Sequence, residues 1–227
     1  MAAPTSQLNP QATPFLPGIA SLPSLPDAAL TSTLDLLFEP SPQLHALALP
    51  TLRTLSFGSY ADLIATLRDE LLAIAAAVSG PRADPDATPD ARRPLHAILA
   101  SHPRLGPAKP PTPHADHDDN EEEEEEELSA QSAAEQAQLR GGDPADAQRL
   151  AALNDEYEAA FPGLRYVVFV NGRSRDVIMA DMRRRIDRAD PQAEEREAIQ
   201  AMCDIAADRA ARLQKSSLEA AELGASA

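Results

Sequence analysis

Apolar residues recur along this chain at helical spacing. In "SYADLIATLRDELLAIAAAVSGP", Tyr60, Leu63, Ile64, Leu67, Leu71, Ile74 and Val78 share one face. Ser59 stands before the run as a cap, and Gly80 and Pro81 punctuate its end. The spacing predicts a core helix. Upstream, "TSTLDLLFE" predicts a helix capped by Thr31 or Ser32, and "SPQLHALAL" a second with Ser41 as cap and Pro42 in its first turn. "ARRPLHAILASHP" predicts a short helix burying Leu95, Ile98 and Leu99. "SAQSAAEQAQLR" resumes helix and stops at Gly141-Gly142. "PADAQRLAALNDEYEAAF" places Leu150, Leu153, Tyr157 and Phe161 on one face. Ser174 caps "RDVIMADMRRRI". Asp190 and Pro191 open a last helix that buries Ile199, Met202, Ala206 and Leu213. The single strand-like run is "LRYVVFV", ended by Asn171-Gly172.

The pattern predicts an all-α fold, one compact multi-helix domain over residues 20–213. Residues 1–27 are rich in Pro and Ser and read as irregular, with 1–19 disordered; 214–227 reads as a tail. Residues 107–127 combine prolines with seven consecutive glutamates, which predicts a disordered acidic insertion. Composition agrees with helix: aromatics make up 4% of the 227 residues and Trp is absent.

Charge narrows the functions. The net charge is −16, but ten acidic residues lie within 116–127, and the rest of the chain carries only −6. No basic face for nucleic acid is expected. One cysteine, Cys203, excludes an internal disulfide and suits a reducing compartment. No apolar run reaches membrane-span length, and no signal-peptide layout opens the chain. The expectation is a cytoplasmic protein, or a peroxisomal one without a C-terminal Ser-Lys-Leu address.

Several short stretches hold candidate chemistry. In "SHPRLG", Pro103 pushes His102 out of the helical region, so His102 sits where its helix ends. A helix C-terminus favours a protonated imidazole, which can exchange a proton near neutral pH. A polar cap without chemistry is the alternative. In "SAAEQ", Ser132 and Glu135 form a capping-box pattern, which leaves Gln136 unexplained. Arg173 and Arg175 follow the strand-like run as possible anion binders. Arg209 falls on the apolar face of the last helix, where a buried guanidinium needs a partner unless it snorkels outward.

The order of these stretches is more specific than any one of them. "FEPSP", "HPRLG", "SAAEQ", "FPGLRYVVFVNGRSR" and "DIAADRAARL" together resemble the 2-oxo-4-hydroxy-4-carboxy-5-ureidoimidazoline (OHCU) decarboxylases of urate degradation, over roughly residues 20–213. The resemblance implies an all-α enzyme that converts OHCU into (S)-allantoin and carbon dioxide with no metal or organic cofactor, and a possible homodimer. It places the catalytic histidine on His102 and the second catalytic group on Glu135. It places substrate contacts on Pro103, Ser132 and Gln136, on Leu164, Arg165, Tyr166, Val167 and Val168, and on Arg209, with Arg173 as another partner for the substrate carboxylate. The sequence departs from the family pattern at "FPGLRY", where Pro162 looks inserted and Arg165 stands in place of a proline. The spacing from His102 to Ser132 is also longer, through the acidic segment.

Two other readings exist: a non-catalytic helical module whose acidic run binds a basic partner, and a metal site on His114, His117 and nearby carboxylates. The run lacks the turn glycine and alternating ligands of a calcium loop. A loop lengthens at small entropic cost when its ends stay fixed. Replacing residues 107–127 by a short linker should therefore preserve the circular-dichroism spectrum and most turnover; a folded but inactive deletion would show that the run does more than bridge.

Overall fold

The computed structural model describes residues 15–77, 92–106, 132–133 and 144–225, with the backbone alone at 144 and 217–225. Val78, Gly80 and Pro81, the insertion at 107–127 with His114 and His117, and most of the predicted helix at 129–140 lie outside these residues.

A 3-10 helix, Ile19–Ser24, comes first. Seven α-helices follow among the described residues: α1 (Asp27–Leu37), α2 (Pro42–Thr54), α3 (Tyr60–Ala77), α4 (Arg93–Leu99), α5 (Pro144–Ala160), α6 (Arg175–Arg188) and α7 (Pro191–Ala225). The fold is all-α, as the periodicity predicts. α3 packs along α7 in the most extensive helix pairing, with α1 and α4 also against α7. The predicted face of α3 is buried at Tyr60, Leu63, Ile64, Leu67 and Leu71. Each fully buried leucine contributes about 1.5–3 kcal/mol. α7 buries Ala198, Ile199, Met202, Ala206 and Arg209 on its inner side. Its backbone stays helical to Ala225, past the boundary expected at 213.

Capping follows the sequence at four helices. Ser41 Oγ accepts from Leu44 N at 3.3 Å, and Ser59 Oγ from Asp62 N at 3.1 Å. Ser174 Oγ accepts from Val177 N at 3.4 Å, and Asp190 Oδ1 from the amides of Gln192 and Ala193 at 3.0 Å. These side chains satisfy amides that have no partner inside their helices.

Two local expectations change. α1 begins at Asp27, so Thr31 and Ser32 lie inside it rather than at its start; their hydroxyls donate back to the Ala28 carbonyl. Residues 15–26 are not simply irregular. Tyr60 Oη donates to the Pro17 carbonyl at 2.8 Å, and Arg53 Nη1 reaches the carbonyls of Pro23 and Leu25 and pairs through Nη2 with Asp27. Leu22 is fully buried by this attachment.

The strand-like run forms no strand. Extended backbone needs partners for its carbonyls, and no second strand exists among the described residues to supply them. Arginines do so instead. Arg185 Nη1 donates to Val167 O at 3.3 Å, and Arg173 donates to the carbonyls of Phe169 and Val170.

The turn before this run holds a required glycine. Gly163 has φ +86°, and a Cβ there would stand 3.1 Å from His96 Nδ1. His96 Nε2 in turn lies 2.9 Å from the buried Glu195 carboxylate. Gly163→Ala should lower the urea midpoint by an amount equivalent to about 1–2 kcal/mol or more, from backbone strain plus displacement of His96. An unchanged midpoint would show that the turn relaxes without cost.

Candidate active site

The loop after α4 is pinned in place from α5. Asn154 Nδ2 donates to Leu105 O at 2.9 Å, and Arg104 Nη2 bonds Asp155 at 2.6 Å and Ala151 O at 3.2 Å. Ser101 Oγ donates to Ile98 O at 2.7 Å. These bonds hold His102, 5% exposed, at a cleft lined also by Pro103, Leu105, Ser132, Tyr166, Val167, Val168, Val170 and Ile205. A wider depression continues from Val168 and Val170 toward Asn171, Asp208 and Arg212.

His102 is not the protonated cap that its position suggests. Burial, and then the positive charge of Arg209, push its pKa down to about 3. Its Nε2 atom is buried with no hydrogen-bond partner among the described residues. The resting imidazole is neutral and able to accept a proton.

Beside it lies a buried polar cluster. Arg209 is 1% exposed and does not snorkel. Its Nη2 donates to Glu39 Oε1 at 2.7 Å and to Ser132 Oγ at 3.1 Å, while Ser132 Oγ donates to the same Glu39 oxygen at 2.5 Å. Three segments distant in sequence meet here: the α1–α2 connection, the short helical piece at 132–133, and α7.

The lining at Tyr166 rests on a second network. Tyr166 Oη donates to Asp181 Oδ2 at 2.7 Å, and Arg185 lies over the Tyr166 ring, 4.9 Å from its centre. Arg185 also binds Asp181 and the fully buried Glu194, which accepts from Tyr157 Oη at 2.6 Å. Burial works against the Asp181 charge, but Tyr166, Arg184 and Arg185 more than offset it, so its pKa is lowered. Burial first, then the bond to Asp181, raises the Tyr166 phenol well above its ordinary value. Tyr166 is therefore a neutral phenol anchored to Asp181 and Arg185.

The structure gathers most, though not all, of the residues expected at the site. His102, Pro103, Ser132, Tyr166, Val167 and Val168 line the cleft, and Arg209 adjoins it through Ser132. Leu164 instead packs in the core, and Arg165 turns toward the His102 carbonyl at 3.5 Å. Arg173 is spent on the carbonyls of the run before it. Glu135 and Gln136 lie outside the described residues. Leu105, Val170 and Ile205 are lining residues that the sequence does not single out, since apolar lining is indistinguishable from core in a pattern of periodicity. Glu39 is the larger omission. It stands in the quoted "FEPSP" stretch, yet no local pattern marks its carboxylate as buried.

Among the described residues no cluster of His, Cys, Asp and Glu is arranged to hold a metal ion, and no helix is long and apolar enough to cross a membrane. Burial pushes the Cys203 thiol up to about 12, which leaves it unreactive.

A family model described as OHCU decarboxylase matches residues 23–211. No curated protein matches the chain. The family match covers most of the sequence, and the chain belongs to the OHCU decarboxylase family.

The His102 environment has a consequence for stability. Unfolded, the imidazole binds a proton near its ordinary 6.5; folded, only near 3. Between these values the unfolded chain takes up the proton more readily, so stability falls as pH drops through that window. The melting temperature of His102→Asn should fall less steeply from pH 6.5 to pH 4 than that of the wild type. Parallel curves would show that burial does not hold His102 neutral.

Proposed function

We propose, from the chain's membership of the OHCU decarboxylase family, that the His102 cleft is its active site and that His102 carries the proton transfers. The family's reaction is the decarboxylation of OHCU in urate degradation, and its members are carboxy-lyases. One observation supports the role of His102 most: a buried, neutral imidazole at the cleft whose Nε2 has no partner among the described residues.

The substrate carries a hydroxyl and a carboxylate on one ring carbon, beside a ring carbon–nitrogen double bond. When the carbon–carboxylate bond breaks, carbon dioxide leaves. The electron pair forms a double bond to the neighbouring carbon as the carbon–nitrogen pair moves onto nitrogen, which takes a proton from water. The resulting enol must then lose its O–H proton and gain one at the neighbouring carbon, giving allantoin. A neutral imidazole suits this order. It accepts the hydroxyl proton first and, as imidazolium, returns it to carbon on the face it occupies. The ring system takes up the charge, so the step calls for no electron-sink cofactor.

Ser132 and Arg209 supply polar contacts near His102, and the anchored run through Tyr166, Val167 and Val168 lines the same cleft. Glu135 is proposed to orient the imidazole and Gln136 to contact the substrate, as the family resemblance implies. The same resemblance supports a homodimer. A reduced compartment, cytoplasm or peroxisome, fits the lone buried Cys203.

The test supplies freshly generated OHCU and follows allantoin by circular dichroism, which reports its handedness. The wild type should give the (S) product, and His102→Ala should lose about 10²- to 10⁴-fold in kcat, with Glu135→Ala compared beside it. Turnover by His102→Ala near the wild-type rate would remove the histidine from this role.

A further inference from the structure

The space beside His102 is small. The cleft there encloses about 40 Å³, room for a few water molecules, while the depression that continues from it encloses about 200 Å³. The two share Val168, Val170 and Ile205 in their linings. An imidazoline ring bearing both a carboxylate and a ureido group does not fit within the cleft. Its reacting carbon reaches His102 only if one substituent extends into the depression.

The groups in the depression suit one substituent and oppose the other. α7 brings Ile205, Asp208 and Arg212 to it at spacings of three and four, one face of the helix. The run from Val168 to Val170 adds apolar lining and ends in a tight turn, where Asn171 and Gly172 have φ of +39° and +72° and Arg173 N donates to Val170 O at 2.8 Å. Arg212 Nε donates to Asp208 Oδ2 at 2.9 Å. The two side chains are 47% and 39% exposed, and an ion pair so open to solvent contributes little to stability. A carboxylate accepts several hydrogen bonds, so this one orients Asp208 without saturating it. A ureido group is uncharged, and its two nitrogens present parallel N–H groups that a carboxylate accepts as a pair, as it does those of a guanidinium. The substrate carboxylate, in contrast, is repelled by Asp208. We propose that Asp208 is a specificity-determining residue that accepts the paired N–H groups of the ureido substituent in the depression, while the carboxylate-bearing carbon stays at His102. This inference rests on the His102 cleft being the active site.

Asp208→Ala and the size-conserving Asp208→Asn both remove the charged acceptor, and both should melt near the wild type. The ureido group is bound before and during the reaction, so the loss falls mainly on KM, which should rise roughly 10- to 100-fold for OHCU. Allantoin carries the ureido group on a hydantoin ring, and hydantoin is that ring without it. Calorimetric titration with allantoin, which needs no turnover, should show binding weakened by a similar factor in both variants. Competition by hydantoin against OHCU should be the same in the variants and the wild type. A general distortion of the cleft would instead weaken both ligands alike. Unchanged KM and allantoin affinity, or an equal loss for hydantoin, would overturn the proposal. A lower KM would overturn it too and assign the depression to the substrate carboxylate. If His102→Ala turns over OHCU at the wild-type rate, the assignment of the cleft fails; if His102→Ala is inactive and Asp208→Ala binds allantoin like the wild type, only the role of Asp208 fails.

Discussion

The ion pair between Arg209 and Glu39 joins residues 170 positions apart. It fastens the connection between the first two helices to the last helix, and Ser132 is drawn into the same contact. A guanidinium with so little exposure is tolerable only because a carboxylate meets it at bonding distance. Removing either member alone leaves a buried charge, which costs far more than the pair contributes. The charge of Arg209 also reaches His102 and adds to the burial that keeps the imidazole neutral. Packing and electrostatics at the cleft thus have a common origin.

The other side of the molecule is organised from the first turn of α7. Two adjacent buried glutamates there face different neighbours. Glu194 binds Tyr157 of α5 and Arg185 and Arg188 of α6, while Glu195 meets His96 of α4. Negative charge near a helix N-terminus is favourable, which eases the burial of both. Through Arg185 this network reaches the Val167 carbonyl and the Tyr166 ring, so the cleft wall is held by the same groups that join α5, α6 and α7. The 164–170 run keeps its shape without a sheet because arginines take the place of a neighbouring strand.

Much of this was legible in the residue pattern. The buried face of α3, the caps at Ser41, Ser59, Ser174 and Asp190, and the burial of Leu95, Ile98 and Leu99 rest on contacts within a few residues. Arg209 showed itself as a charge on an apolar face, although its partner did not. Thr31 and Ser32 misled because a capping residue type also fits a helix interior, where its hydroxyl bonds back to a carbonyl. "LRYVVFV" misled because β-branched residues report a preference for extended backbone, not the presence of a partner strand.

The sequence by itself determined most of the helices, the caps at Ser41, Ser59, Ser174 and Asp190, the buried faces and the family to which the chain belongs, because periodicity, capping and ordered motifs are written in neighbouring residues. Only the tertiary structure decided the charge state of His102, the partner of Arg209 and the direction of the Ser132 hydrogen bond. Desolvation and ion pairing depend on groups far apart in the chain. The local rule put a proton on His102 by its helix end; burial beside Arg209 removes it.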